Sequence, residues 1–236
     1  MNKRFIAVFA AYLIIGLLFN SCLYGIKGSG KVVRKERPVA AFGAISASAG
    51  LEVILSQDSV AKVIVEADEN LQEIIKTEVS NGELKIYPKQ RISSCEAKKV
   101  YVTFKTIHSL EASSGSDVVS KMELKMPSLQ VSVSSGANVD LNLSVKNLNV
   151  DGSSGGNLKL SGSAESFEVE GSSGTNIKAK DLQAKTCNAG ASSGANLKVN
   201  ATEKISAQAS SGGNIKVMGN PKERSVQKSS GGSVEF

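Results

Sequence analysis

The phrase Ser-Ser-Gly occurs seven times in this chain, beginning at Ser113, Ser134, Ser153, Ser172, Ser192, Ser210 and Ser229. The intervals are 21, 19, 19, 20, 18 and 19 residues. A fixed period near 20 is the mark of a solenoid, in which each repeat is one supersecondary unit that buries its apolar face only by stacking on its neighbours. This regularity restricts more than half of the chain before any other feature is read.

Aligned on the first Ser, the repeats fall into columns. Five residues later stand Val118, Val139, Leu158, Ile177, Leu197, Ile215 and Val234, all apolar. Three residues earlier stand Leu110, Val131, Val150, Val169, Ala189, Ala207 and Val226. Two further back the column reads His108, Leu129, Leu148, Phe167, Cys187, Ile205 and Arg224, which places His108 on an inward column. Apolar and polar positions alternate within each repeat, the period-2 pattern of a strand with one buried face. Each repeat therefore reads as strand, tight Ser-Ser-Gly corner, strand, looser corner, and the fold class is all-β, a parallel β-helix with coils of about 19 residues.

Parallel stacking sets equivalent residues about 4.8 Å apart along the axis. Four residues after the first Ser lie Asp117, Asn138, Asn157, Asn176, Asn196, Asn214 and Ser233. The five asparagines are expected to form a structural ladder of stacked amides, as in cross-β assemblies, and Asn and the neighbouring Gly tolerate left-handed backbone angles at a corner. Two residues further on, Lys159, Lys178, Lys198 and Lys216 project outward from consecutive repeats. Like charges at that spacing are unfavourable. Two readings stand: a solubilising cover for a flat sheet face, or a strip that binds acidic glycan or other anions.

An outlying first copy is aligned on Ser48, with Ile45, Val53 and Leu55 in the apolar columns. The insertion that follows has a different grammar. Residues 60–67 read as a strand. Residues 68–79 are predicted as one short helix capped by Asp68, with Leu71, Ile74, Ile75 and Val79 on one face. Asn81-Gly82 is a turn signal, and residues 83–87 and 99–105 read as strands. The segment is expected to cap one end of the solenoid. At the other end Phe236 falls on an inward column, where it either closes the last layer or leaves an end or sheet edge open to a partner or a second copy.

The N-terminus opens with Lys3-Arg4, an apolar run over 5–19, and Ser21-Cys22. The run is short for a membrane span and suits a secretory signal, and a Cys after a small residue suggests a lipoprotein acylated at Cys22. The expected organisation is a signal peptide at 1–21, a lipid-anchored linker at 22–30 and one β-helix domain at 31–236. Within that domain, 31–107 form the capping region with the first coil and 108–236 the regular repeats. The expected location is exported: an outer-membrane lipoprotein facing either the cell surface or the periplasm, held to the membrane through Cys22. The net charge of +6 is spread too thinly for a nucleic-acid partner. Cys187 falls on an inward column and is expected to pack as a small hydrophobe; pairing with Cys95 across several coils is disfavoured.

No catalytic constellation emerges. His108 is the only histidine, so no Cys/His metal spacing exists, and no metal or cofactor is expected. Gly28-Ser29-Gly30 has neither the preceding strand nor the following helix of a phosphate loop. Ser-Ser-Gly lacks the base a nucleophile elbow requires. Glycoside cleavage needs two carboxylates at a defined separation. Here the acids are scattered, Glu168 and Glu170 share an outer face as solvated charge, and Phe167 and Phe236 are the only aromatic residues after Phe104.

The segments Gly28-Ser29-Gly30-Lys31-Val32-Val33, Phe42-Gly43-Ala44-Ile45, Val63-Ile64-Val65-Glu66-Ala67-Asp68-Glu69-Asn70-Leu71, Ala112-Ser113-Ser114-Gly115-Ser116-Asp117-Val118 and Gly219-Asn220-Pro221, with the Ser-Ser-Gly repeats, resemble the putative auto-transporter adhesin or head GIN domain family. The resemblance covers residue 28 to the C-terminus. It implies a right-handed parallel β-helix in an exported, often lipid-anchored bacterial protein, and supplies no catalytic residues. Many members have Gly-Gly-Ser-Asp where this chain has Ser-Gly-x-Asn, so an acidic or cation-binding corner is not carried over. The leading expectation is a non-enzymatic envelope lipoprotein presenting a polar β-helix face to glycan or protein, as in adhesion. A periplasmic structural or signalling component with a protein partner is the alternative, and a polysaccharide-active enzyme the least favoured class.

Overall fold

The computed structural model describes residues 25–236. The predicted signal peptide and Cys22 lie outside the described residues.

Five long strands make up the regular part: β11 (Asp117–Val133), β12 (Asn138–Gly152), β13 (Asn157–Gly171), β14 (Asn176–Ala191) and β15 (Asn196–Ala209). Each runs from one Ser-Ser-Gly corner to the next and pairs in parallel with its successor. The short β10 (Ser109–Ala112) leads in, and β16 (Asn214–Met218), β17 (Glu223–Lys228) and β18 (Ser233–Glu235) trace the last coil. Register follows the sequence columns: Val118, Val139, Leu158, Ile177, Leu197, Ile215 and Val234 pair successively, all buried. The apolar columns meet in a narrow core that runs the length of the solenoid, with Phe167 its largest side chain in the coils.

The corner explains the repeated phrase. In each copy the second Ser and the Gly both have positive φ, as in Ser173 (51°) and Gly174 (73°), and the residue after the Gly donates its N–H to the first Ser carbonyl. That is a type I′ turn, which demands left-handed angles at both central positions. The Gly N–H is spent between coils, Gly174 donating to Ser193 O at 3.1 Å, so the ladder continues unbroken through the corner. The left-handed residues are thus Ser and Gly. The asparagines open the following strands, and their tolerance of left-handed angles is not used.

The outlying copy is a true first coil. β3 (Ala44–Ala47) and β4 (Glu52–Gln57) join through Ala49 and Gly50 at φ 58° and 73°, and pair with β10 and β11. Beyond them each wall is extended by a different device. β4 pairs in parallel with β9 (Lys98–Phe104), which continues antiparallel into β5 (Lys62–Asp68) and then β2 (Val32–Arg37). β3 pairs with β7 (Glu83–Pro88), which continues antiparallel into β6 (Ile75–Ser80). A small sheet of β1 (Ile26–Lys27) and β8 (Ile92–Ser94) lies apart.

The predicted helix over 68–79 is absent. A single 3₁₀ turn spans Glu69–Leu71, Asp68 makes no side-chain cap, residues 72–74 continue as turn, and strand β6 begins at Ile75. Asn81 and Gly82, at φ 53° and 75°, form a two-residue hairpin turn with Ser80 opposite Glu83. Such a turn requires a strand immediately on its N-terminal side, and Ile75, Thr77 and Val79 supply the β-branched alternation for it. Inward-column positions at both ends also differ from expectation, and Arg224 and Val226 in the last coil are exposed. His108 is exposed and Ile107 takes the inward place, with the imidazole lying over Gly43, where a Cβ would come within 2.9 Å of the ring. Phe236 follows the last paired residue, Glu235, and so leaves the pleat. It is 53% exposed under the Arg224 guanidinium, 4.6 Å from its ring.

Candidate functional site

The sharp turn leaves a concave strip on the wall that enters it. A groove of about 820 Å³ runs along the solenoid there, across every coil from Glu111 to Ser229. One side is the row two residues before the first Ser: Glu111, Ser132, Asp151, Glu170, Gly190, Gln208 and Gln227, paired rung to rung. The other side is the row of first serines, half-buried from Ser134 to Ser210 and exposed at Ser229, and the floor is the small residue between them, such as Gly152, Gly171 and Ala191. The floor glycines have a packing reason. A Cβ on Gly152 would lie 2.4 Å from the Thr175 methyl, and one on Gly171 2.6 Å from Leu197 Cδ1. A shallower hollow over Ser46, Glu83, Lys85 and Tyr87 also reaches Glu111, where the cap begins.

Past the corner, the wall carries the asparagine ladder and the lysine row. Each ladder amide donates to the residue one coil earlier: Asn138 to Asp117 (2.8 Å), Asn157 to Asn138 (3.2 Å), Asn176 to Asn157 (3.4 Å), Asn196 to Asn176 (3.4 Å) and Asn214 to Asn196 (3.2 Å). From Asn157 onward the same amide nitrogen also reaches the carbonyl of the corner Gly two residues back. The ladder thereby fixes corner to strand. Beside it Lys159, Lys178, Lys198 and Lys216 are exposed on consecutive rungs. Asp140 binds Lys159 at 2.8 Å and holds its ammonium pKa above the usual lysine value through that hydrogen bond. Glu235 lies 4.0 Å from Lys216. Lys178 and Lys198 have no ion pair among the described residues. Only a shallow hollow of about 240 Å³ separates lysines from asparagines.

Sequence columns give no sign of a buried polar knot in the cap. Asp68 is fully buried, and its carboxylate accepts N–H groups from Gly30 (2.8 Å), Ala97 (3.0 Å) and Glu96 (3.1 Å). Burial pushes its pKa up; the backbone donors outweigh that and hold it below the ordinary 3.8. The Asn70 side chain accepts from Ser29 N–H and donates to Lys27 O. Buried Gln72 donates to Val33 O and Val65 O and accepts from Arg37. Gly28 is required because a Cβ there would fall on the Asp68 carboxylate, 2.0 Å from Oδ2. The Asp68 carboxylate is therefore held between Gly30 of the Gly28-Ser29-Gly30 loop and the Glu96-Ala97 backbone. The spacing of a polar Asp-Glu-Asn after a hydrophobic strand is the one signal of it in the sequence.

Cys95 and Cys187 are both free. Burial raises the Cys95 thiol and pushes Cys187 up to about 12, which leaves Cys187 an inert packing residue. Among the described residues no three His, Cys, Asp or Glu side chains gather around a metal-sized space. No helix among them is long and apolar enough to cross a membrane.

The family model described as putative auto-transporter adhesin, head GIN domain matches residues 41–221. Among solved structures, a putative adhesin from Bacteroides fragilis has a TM-score of 0.83 at 24% identity, over 89% of this chain and 99% of its own. A putative adhesin from Parabacteroides merdae has a TM-score of 0.71 at 18% identity, over 89% and 98%. A putative lipid binding protein from Parabacteroides distasonis has a TM-score of 0.64 at 24% identity, over 89% and 99%. At these identities the likeness is one of fold. No curated protein matches the chain.

Proposed function

Because the chain belongs to the family of the putative auto-transporter adhesin, head GIN domain, we propose that it is an exported, lipid-anchored, non-enzymatic binding module whose ligand lies in the groove along the Ser-Ser-Gly corners. The groove is the observation that carries this reading. It continues across the regular coils, with a serine hydroxyl at each rung from Ser134 to Ser229 and carboxylates or amides at Glu111, Asp151, Glu170, Gln208 and Gln227. A surface with one rung about every 4.8 Å suits an extended polar polymer, such as a glycan, over a compact small molecule. Its lining also argues against an acyl chain, which takes a predominantly apolar pocket, although one relative of this fold is described as a putative lipid binding protein. The lysine row, on the other wall and without a deep groove, reads as a charged cover or a secondary anion strip.

Two measurements test the proposal. Gly190 has ordinary backbone angles and an open Cβ direction, its nearest neighbour being Glu170 at 3.7 Å. Gly190→Arg therefore fills the groove without strain. The expected result is retention by a glycan array that Gly190→Arg abolishes and that Gln at all four lysines leaves intact; the reverse pattern transfers the site to the lysine row. Protease shaving of intact cells, with a tag in the exposed 58–61 loop, reads the orientation. Signal lost from intact cells supports adhesion. Protection until the outer membrane is opened supports the periplasmic alternative.

A further inference from the structure

The corner separates two walls of opposite charge, and each wall holds a like-charged pair that the chain leaves unrelieved. On the wall entering the corner, Asp151 and Glu170 sit on directly paired rungs, both exposed. The two outward columns nearest the corner, four and two residues before the first Ser, contain Glu111, Asp151, Glu168 and Glu170, with no Lys or Arg among them. None of these four carboxylates has an ion pair among the described residues. On the wall leaving the corner, Lys178 and Lys198 sit on directly paired rungs, both exposed. The lysines above and below them are relieved by Asp140 and Glu235, but these two are not.

Like charges facing one another across adjacent strands destabilise a sheet. The two unrelieved pairs have opposite sign, and their spacing is equal because the same coils set both, about 4.8 Å per rung. We propose that a second copy of this chain is the partner of the lysine wall: Asp151 and Glu170 of one copy dock against Lys178 and Lys198 of another. The contact joins two different surfaces and is heterologous. In a head-to-tail arrangement each copy keeps one acidic or one lysine wall free, and copies add in rows. Exposed ion pairs are individually weak and screened by salt; the association is accordingly low in affinity, fast and salt-sensitive, and matters most where copies are crowded on one surface. The inference goes beyond the proposed function and stands without it. Since Asp151 and Glu170 rim the groove, a groove ligand and a second copy compete.

The test uses the full chain in mild detergent, sedimentation velocity and a zero-length carbodiimide cross-linker, which joins a carboxylate to an amine already in contact. The wild type should form a ladder of cross-linked species at low salt that disappears at high salt, with links mapping between Asp151 or Glu170 and Lys178 or Lys198. Two charge-reversed variants decide the matter. Asp151→Lys with Glu170→Lys, and Lys178→Glu with Lys198→Glu, should each lose association by at least about tenfold alone and recover it when mixed, because each then supplies the charge the other lacks. Recovery on mixing also establishes that both variants are folded. A wild type that stays monomeric at low salt, links that map elsewhere, or variants that associate as well alone as mixed would overturn the proposal. Glycan retention blocked by Gly190→Arg is read separately, so either idea can fail without the other.

Discussion

The cap and the coils solve the same problem, satisfying the backbone of a stacked sheet, by opposite means. In the coils every unit repeats its neighbour, the corners hydrogen-bond to the next corners, and the polar side chains face outward, bonded along the asparagine ladder and in ion pairs such as Lys159–Asp140 and Lys204–Glu223. In the cap the stacking rule ends and strands turn antiparallel. The backbone groups so stranded are met by particular buried side chains, Asp68 and Gln72, while the outer charges are matched: Arg34 with Glu66 at 2.8 Å, Lys62 with Glu36 at 2.8 Å and Lys99 with Glu52 at 3.3 Å. The Tyr101 ring is met by the Arg34 guanidinium at 4.8 Å and the Lys121 ammonium at 5.2 Å. The buried polar side chains of the cap complete its own backbone, a structural task; the coils leave Asp151, Glu170, Lys178 and Lys198 exposed and without an ion pair among the described residues, along a groove and a wall that offer surface to a partner.

The sharpest break in this comparison comes from the core. Phe167 is 1% exposed in the middle of the coils, and truncating such a side chain costs about 3–5 kcal/mol. Solenoid stability is nearly a sum over repeats and their interfaces. Phe167→Ala is therefore expected to uncouple the coils from the cap: hydrogen exchange should accelerate through β12 to β14 while β5, β7 and β9 keep their protection. Uniform acceleration across the chain would show one cooperative unit.

Asp68→Asn strikes the cap in turn. An amide can accept from at most part of the Gly30, Glu96 and Ala97 cluster and brings donors where donors already crowd. The melting temperature should fall by more than about 5 °C, with exchange rising first in β2 and β5. The pH dependence has a definite sign. The folded pKa lies below the ordinary value, so the stabilisation is present above about pH 4 and is lost as pH falls through the folded pKa. Wild-type stability between about pH 5 and pH 2 should drop more steeply than that of Asp68→Asn. Parallel curves for the two proteins would remove Asp68 from its assigned role.

Legibility from sequence divides along the same line. The coils are readable because a repeat writes its structure seven times, and columns average out local exceptions. Inward columns, corner position and the amide ladder all follow from that redundancy. The cap is written once. There the spacing of Leu71, Ile74, Ile75 and Val79 imitates a helix face, and the Asn81-Gly82 hairpin signal with the β-branched alternation of Ile75, Thr77 and Val79 argues for the strand that is present. A carboxylate before an apolar run looks alike as a helix cap and as a buried acceptor; the donors that define the role of Asp68 are 28 to 38 residues away. The groove is not legible either. It depends on how sharply a type I′ corner folds one wall toward the next, which residue columns alone do not record.

Glycine at the corner should matter less than either of these and for a purely conformational reason. Gly174 has φ +73° and no atom within 4 Å of where a Cβ would stand, whereas Gly190, in the same coil, has no positive φ and open space as well. Gly174→Ala is expected to cost about 1–2 kcal/mol and Gly190→Ala to be close to neutral, both read by urea denaturation. Equal costs at the two positions would mean that space, not the left-handed angle, fixes glycine in the repeat.

The smallest effect is the most direct comparison of the two regions, because both contain a type I′ turn with a different residue in the first left-handed position. The cap uses Asn81 at φ 53°, the coil Ser173 at 51°. Asn is enriched several-fold over most residues in this conformation since its short amide can bond locally. On local terms Ser173→Asn should stabilise by about 0.5 kcal/mol and Asn81→Ser destabilise by a similar amount. In the coil, however, the corner stacks: Gly155 donates to Ser173 O at 3.1 Å, and the serines of neighbouring coils stand directly above and below. A larger amide there must share that spacing with its neighbours, while at the hairpin tip, where Gly82 has nothing near it, no such neighbour exists. If the two substitutions, measured by urea denaturation, are equal and opposite, the turn alone governs both sites. If Asn81→Ser costs its full amount and Ser173→Asn returns nothing, the stack has overridden local preference, and the serine of the repeated phrase is there for its fit between coils.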